Sequence, residues 1–422
     1  MPEIRPFKGI RYNPEKIPNL ADVICQPYDQ ITNKMERTYK SKSPYNFVRL
    51  VLTKYADGHD RPREYRDAKR FAENWVNDKI FVHDGADAIY PYWQEFTISD
   101  KQYLRKGFMC AVRLEELGTG NILPHEKTLS KPKADRLNLL RITKKDVEPV
   151  FLLYTDPKDV VNTTLAQYCK TSPLIDVTDE KNVVHKVWRV EEAEPVKKIA
   201  NTLKDSIFVI ADGHHRYETA YNYMQEQTGI DMNHPANFKL ITLVNIEDPG
   251  LLILPTHRLI GNLPDFSLTT FLEKTEKHFD IKKTSKDEIV KDLEKTGSQA
   301  FGFYSTQTSY ILKLKSDKVL KQFAPDRSDE YRNLDVVILH TLLIEDVLGI
   351  QPANIEDHVK YERGVRAAMK RVDVGAFQFC FLVNATKSEQ VKHVAEKKER
   401  MPQKSTDFYP KLISGLVLRD IA

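Results

Sequence analysis

Apolar and polar positions along this chain alternate between two periods. Tyr65, Ala68, Phe71, Ala72, Trp75 and Val76 recur at helical spacing and predict a helix over 63–80. Ala88–Ile98 and Gly107–Leu114 read as two strands around Ser99-Asp-Lys101. Pro149–Tyr154 is an apolar strand. It is followed by a strand at 206–210, a helix at 215–228 and strands at 238–246 and 251–254. Residues 268–315 read as helix, helix, strand, strand. A long helix at 334–348, a helix near 364–371, a strand at 376–384 and a charged helix at 388–400 complete the pattern before an irregular tail. The mixture predicts an α/β fold of the mixed α+β kind. Without an internal repeat or low-complexity linker, the reading divides the chain into an N-terminal α/β region at 1–100, a core at 101–262 and a C-terminal α/β region at 263–422.

One junction in this pattern carries chemistry. The apolar run Ile207-Phe-Val-Ile210 leads into Ala211-Asp-Gly-His-His-Arg216, and a helix-like run from Tyr217 leads out. This is a buried strand, a tight Asp-Gly turn and a helix start. Amides at a helix start carry partial positive charge and suit an anion. His214, His215 and Arg216 add cationic or hydrogen-bonding side chains on the same turn, which suggests a phosphate pocket. The competing reading makes one histidine a satisfied core residue. Tyr217 and Tyr221, at helical spacing, fit packing better than chemistry.

Charge narrows the classes. The 64 basic and 60 acidic residues nearly balance, so the concentrated basic excess of a nucleic-acid reader is missing. Cys25, Cys110, Cys169 and Cys380 are far apart and form no CxxC pair, which excludes a zinc ribbon or thioredoxin-type motif. The N-terminal residues show no signal-peptide h-region, and Leu334–Ile350 is interrupted by Asp335, His340, Glu345 and Asp346. The expectation is a cytoplasmic protein without a membrane span. There is no GxGxxG, GxSxG, HExxH or GxxxxGK[ST].

Three further segments are candidates. Leu123-Pro-His-Glu-Lys127 runs on through Lys131 and Lys133 to Arg136, with Pro124 and Pro132 predicting extended backbone. Glu126 beside His125 suits a general base, and Lys127, Lys131, Lys133 and Arg136 suit phosphate. Equally, the segment is a solvated loop leading into a helix at 134–142. Met401–Lys411 contains Lys404-Ser-Thr406, one point charge and two hydroxyls, or else is surface tail. Pro255-Thr-His257-Arg258 follows the strand 251–254, at a strand end where ligand loops often start, although a structural arginine fits as well.

Leu-Pro-His-Glu-Lys-Thr-Leu, Asp-Gly-His-His-Arg and Met-Pro-Gln-Lys-Ser-Thr-Asp-Phe-Tyr-Pro-Lys occur here together and in this order. By these segments the chain resembles a bacterial family of free L-serine kinases that use inorganic pyrophosphate. The resemblance runs from Arg5-Pro-Phe-Lys-Gly-Ile-Arg11 to Tyr409-Pro-Lys-Leu-Ile-Ser-Gly415. The Asp212 turn is also similar to that of archaeal ADP-dependent serine kinases of the ParB/sulfiredoxin-like superfamily. The resemblance implies a ParB/sulfiredoxin-like core and phosphoryl transfer from pyrophosphate to the hydroxyl of free L-serine, giving O-phosphoserine. It implies Glu126 as the base, with Gly213, His214, His215 and Arg216 on the donor phosphates. Lys404, Ser405 and Thr406 would close over them, and Asp212 would hold Mg²⁺ or pin the turn. The expected partners are small molecules, L-serine and pyrophosphate, without nucleic acid or membrane. Two rival readings remain: a ParB-like nucleic-acid-binding protein or nucleotide switch, and a non-catalytic phospho-ligand sensor in which Glu126 has no role.

Overall fold

The structure, a computed structural model, describes residues 2–52, 61–126, 131–402 and 404–422. It is mixed α/β, as the two periods predict. The chain divides into two compact units, not three consecutive segments: one of residues 1–124, 128–252 and 410–422, the other of 125–127 and 253–409.

The first unit is built on a nine-stranded mixed sheet. Its strand order is Ile122–Pro124, Phe208–Asp212, Val150–Tyr154, Phe238–Asn245, Lys101–Arg113, Tyr90–Ile98, Val184–Val187 and Ile175–Thr178, with Ile4–Arg5 paired to Lys101–Arg113. The expected boundary at residue 100 falls inside a hairpin turn. Ser99 and Asp100 take φ of 47° and 63°, the left-handed pair that a two-residue hairpin demands, and Tyr90–Ile98 pairs antiparallel with Lys101–Arg113. That hairpin buries Phe108 and Cys110 with Leu152, Phe208, Ile210 and Leu243 in one core, so the expected regions 1–100 and 101–262 share a single sheet.

The helix expected at 134–142 spans Lys131–Thr143 and includes Pro132, where extended backbone was expected. Proline is tolerated in a first helical turn because its missing N–H has no intrahelical acceptor there. The tail is not irregular surface. Ser414 pairs with Cys25 and Leu418 with Ile10, and Leu418 is packed with Ile10, Phe47, Trp75 and Phe81.

The second unit carries a six-stranded antiparallel sheet in the order Phe279–Thr284, Ser309–Leu314, Ala300–Ser305, Phe379–Val383, His257–Ile260 and Val359–Glu362. Phe271 stacks on Phe303 of this sheet, and Phe303, Phe379 and Phe381 form one aromatic cluster on its strands. Strand Phe279–Thr284 has little apolar signal because it lies at the sheet edge, where Asp280, Lys282 and Lys283 face solvent. The helix expected at 334–348 starts as α-helix at Asp335–Ile338 and continues as π-helix over Leu339–Val347. Among the described residues, no single helix is long and apolar enough to cross a membrane.

Candidate functional site

The Asp-Gly turn forms at the end of the strand Phe208–Asp212, in the first unit. Pairing to Val150–Tyr154 slips between Ile210 and Asp212, a bulge at Ala211 that re-aims the carboxylate just before the turn. Gly213 has φ of +91° and precedes the helix His214–Glu226. A Cβ on Gly213 would lie 2.9 Å from Arg216 Nε, so both the backbone angle and the close approach require glycine.

Asp212 is the electrostatic centre of the turn. Its Oδ1 accepts the Gly213 N–H at 3.0 Å, and its Oδ2 faces Arg216 Nη2 at 3.4 Å and Lys411 Nζ at 3.9 Å. Burial pushes the Asp212 pKa up, but Lys411, Arg216, His214 and the Gly213 amide outweigh it and bring it to about 2. The carboxylate is therefore ionised at neutral pH. Arg216 also donates from Nη1 to the Pro149 carbonyl at 2.6 Å, which makes it a brace of the turn. Burial alone would lower its pKa; Asp212, Glu148 and Asp29 raise it. His214 is buried and His215 half-buried in the first helical turn. Tyr217 packs, as its spacing predicted, and its hydroxyl donates to the Glu115 carbonyl at 3.0 Å.

Lys411 ends the Met401–Lys411 segment, outside its Lys404-Ser-Thr406 cluster. No local signal marks it; its place beside Asp212 comes from the fold of the tail.

A second constellation forms within the other unit and gathers four separate stretches of sequence: 125–126, 256–258, 340 and 401–406. His125 Nε2 is 2.8 Å from Thr406 Oγ1, and Glu126 Oε1 accepts from Thr406 Oγ1 at 3.2 Å and from its N–H at 3.3 Å. The Met401 N–H donates to the His125 carbonyl at 2.7 Å, which holds the two segments side by side. Ser405 is buried and donates to the Pro402 carbonyl. Lys404 takes φ of 59° and is exposed. Arg258 is fully buried. It donates to the carbonyls of Thr256 and, at 3.2 Å, Lys404, and its Nε points to His340 Nε2 at 3.3 Å.

Every acceptor of Arg258 is neutral. Burial pulls its pKa down to about 10 against the opposing pull of Tyr361 and Glu126. His340 is driven to about 3 by burial and by the Arg258 charge, so it is a neutral acceptor. It sits at the start of the π-helical stretch, a winding often found at functional sites. In the sequence His340 shows only as a break in an apolar run. His257 points elsewhere: its Nδ1 accepts the Val383 N–H at 3.3 Å, and burial lowers its pKa to about 4.

Arg136 is buried in the first unit. It donates to the Val51 carbonyl at 2.7 Å and pairs with Asp135, and its guanidinium lies 4.2 Å from the Tyr28 ring centre. Lys127 lies outside the described residues, while Lys131 and Lys133 fall in the first turn of Lys131–Thr143, described as backbone.

A family described as "Protein of unknown function (DUF1015)" matches residues 4–337. The chain belongs to that family. Its match takes in Glu126, the Asp212 turn and Arg258, and ends before His340 and the tail. No curated protein matches. Among solved structures, the chain is similar to a free serine kinase in complex with AMP, at 12% identity and a TM-score of 0.38, over 71% of this chain and 88% of that one. It is also similar to a conserved hypothetical protein from Pyrococcus furiosus, at 13% identity and a TM-score of 0.34, over 70% and 92% of the two chains. A third is SbnI with a C-terminal truncation from Staphylococcus aureus, at 9% identity and a TM-score of 0.36, over 73% and 86%.

Among the described residues, no group of three or more His, Cys, Asp or Glu side chains is placed to hold a metal ion. Asp212 fits a hard cation as a single carboxylate ligand only, with other oxygens coming from a ligand or water.

Proposed function

We propose that this protein is a small-molecule kinase that transfers phosphoryl from inorganic pyrophosphate to the hydroxyl of free L-serine. The observation that carries the reading is the Asp212-Gly213 turn: a glycine with positive φ at a helix start, ringed by His214, Arg216 and Lys411. Phosphoryl transfer asks mainly for positioning and charge neutralisation, and this turn offers both to a compact anion. The three sequence segments shared with pyrophosphate-dependent serine kinases support the choice of donor and acceptor.

In this reading the donor phosphates take the turn, with His214 and His215 as hydrogen-bonding groups. Arg216 holds the loop in shape. The resemblance to serine kinases assigns Glu126 the proton of the serine hydroxyl. The serine oxygen bonds to phosphorus, the bridging P–O bond breaks, and orthophosphate leaves. Thr406 donates to Glu126 and orients it, and His125 in turn contacts Thr406. Asp212 would give Mg²⁺ one carboxylate oxygen; the metal, when bound, offsets donor charge.

The test is incubation of the protein with serine and, separately, pyrophosphate, ATP and ADP, read by phosphorus NMR. O-phosphoserine formed in preference from pyrophosphate supports the reading. Preferential use of ATP or ADP refutes the donor, and no phosphoserine from any donor refutes the kinase.

A further inference from the structure

Arg105 stands on the strand Lys101–Arg113 and is 1% exposed. Its Nε donates to Gln94 Oε1 at 3.0 Å, and its Nη2 donates to the same oxygen and to the Pro410 carbonyl at 2.7 Å. The guanidinium carbon lies 4.8 Å from the centre of the Phe151 ring. Nη1 is buried and has no hydrogen-bond partner. Among the described residues, no carboxylate lies within ion-pair distance of Arg105; Asp248 and Asp212 act on it only through space. Burial lowers its pKa to about 10, so it is cationic at neutral pH.

A buried cation whose acceptors are all neutral is an expensive thing for a fold to keep. An unpaired buried N–H adds to that cost. Among the described residues of the same unit, the other deeply buried cations have their counter-charges: Lys239 and Arg419 meet Asp146, Arg136 pairs with Asp135, and Arg216 with Asp212. Arg105 is the exception, and its position explains why. Phe151, on which it lies, is the register partner of Asp212, so the guanidinium flanks the Asp-Gly turn. The Pro410 carbonyl that it holds is one residue from Lys411, whose own carbonyl accepts from Gln94 at 3.0 Å. Arg105, Gln94 and the tail backbone thus form one hydrogen-bonded assembly that ends at the Lys411 ammonium beside Asp212.

We propose that Arg105 is an anion-anchoring residue of the Asp212 site, its Nη1 reserved for an oxyanion of the ligand, either a donor phosphate or the carboxylate of an amino-acid acceptor. This rests on the small-anion reading given above and adds a binding residue that it did not include. A planar fork with one face already fixed by Gln94 and Pro410 is preorganised for such a group.

The experiment is calorimetric titration of the full chain and of its R105K and R105Q variants with pyrophosphate in Mg²⁺, with L-serine, and with ethanolamine, the analogue of serine without the carboxylate. The expected result is a tenfold or greater loss of affinity in both folded variants. If the loss is for pyrophosphate, the anion is phosphate. If it is for serine, and serine falls to the level of ethanolamine, the anion is the carboxylate. Folded variants that bind both ligands within twofold of the parent overturn the assignment while leaving the kinase reading in place. A parent that binds neither ligand overturns both. Should R105Q fail to fold, R105K and the arginine Nε–H NMR signals of the parent decide. The signal absent from R105K must shift on titration, and its failure to move at saturating ligand overturns the proposal.

Discussion

The Lys411 ammonium lies 3.9 Å from Oδ2 of Asp212, although 199 positions separate them in sequence (411 minus 212). The contact joins the tail to the Asp-Gly turn within one unit, and it is the largest attractive influence on the Asp212 carboxylate.

Removing that charge has a signed consequence. Asp212 is depressed to about 2 in the folded protein, against about 3.9 unfolded. Its contribution to stability is complete above pH ~4 and is lost as pH falls from ~4 towards ~2. Lys411→Met raises the folded pKa and so lowers stability at pH 7. The expected loss is under ~1.4 kcal/mol, less than one pKa unit, because Arg216 and His214 remain and the Asp212 side chain is 20% exposed. Urea unfolding at pH 7 and pH 3 checks it: the gap between parent and variant must narrow in acid.

Gly213→Ala is expected to cost about 1–3 kcal/mol, from a left-handed backbone and a Cβ pressed on Arg216. Urea denaturation gives the figure, and pyrophosphate titration must show weaker binding as Arg216 shifts. A neutral substitution would mean that the turn relaxes without consequence.

Glu126→Gln keeps the shape of the side chain and removes the proposed proton acceptor. Turnover of serine should fall by about 10²–10⁴ with the circular dichroism spectrum unchanged. Thr406→Val, which deletes one donor to Glu126, should cost less than the Gln variant. A Gln variant of near-parental rate would place the base elsewhere.

His340 is neutral in the fold at about 3, whereas an unfolded histidine titrates near 6.5. The unfolded chain therefore binds the extra proton, and stability falls as pH drops from ~6.5 towards ~3. His340→Gln keeps an acceptor for Arg258 and removes this dependence. The variant should lose up to about 2 kcal/mol less than the parent between pH 7 and pH 5. Melting temperatures across that range decide it.

Deleting residues 410–422 should unfold the first unit, not merely silence it. Leu412, Ile413, Leu416, Val417 and Leu418 are buried, and Arg419 pairs in register with Asp146. Loss of cooperative melting is the expected readout. A stable, folded truncation would contradict the packing of the tail.

Much of this molecule is legible from sequence because short-range physics governs it. The apolar run Ile207–Ile210 makes a strand that spans Phe208–Asp212, and Gly213 ends it at a φ of +91°, an angle that other side chains rarely adopt. The helix predicted over 63–80 spans Arg61–Asn77, since its apolar stripe is strong and local.

What sequence could not supply is which charges meet. Arg105 lies before the strand predicted at 107–114, in a polar stretch that only pairing with Tyr90–Ile98 draws into the sheet. His340 counted as an interruption of an apolar helix until the π-helical winding set it against Arg258. Glu126 meets Thr406, and Asp212 meets Lys411, through chain folds that bring distant segments together. Helix and strand signals act over a few residues and are written in local periodicity. Ion pairs and buried hydrogen bonds depend on distance in space, which only the packed tertiary structure decides.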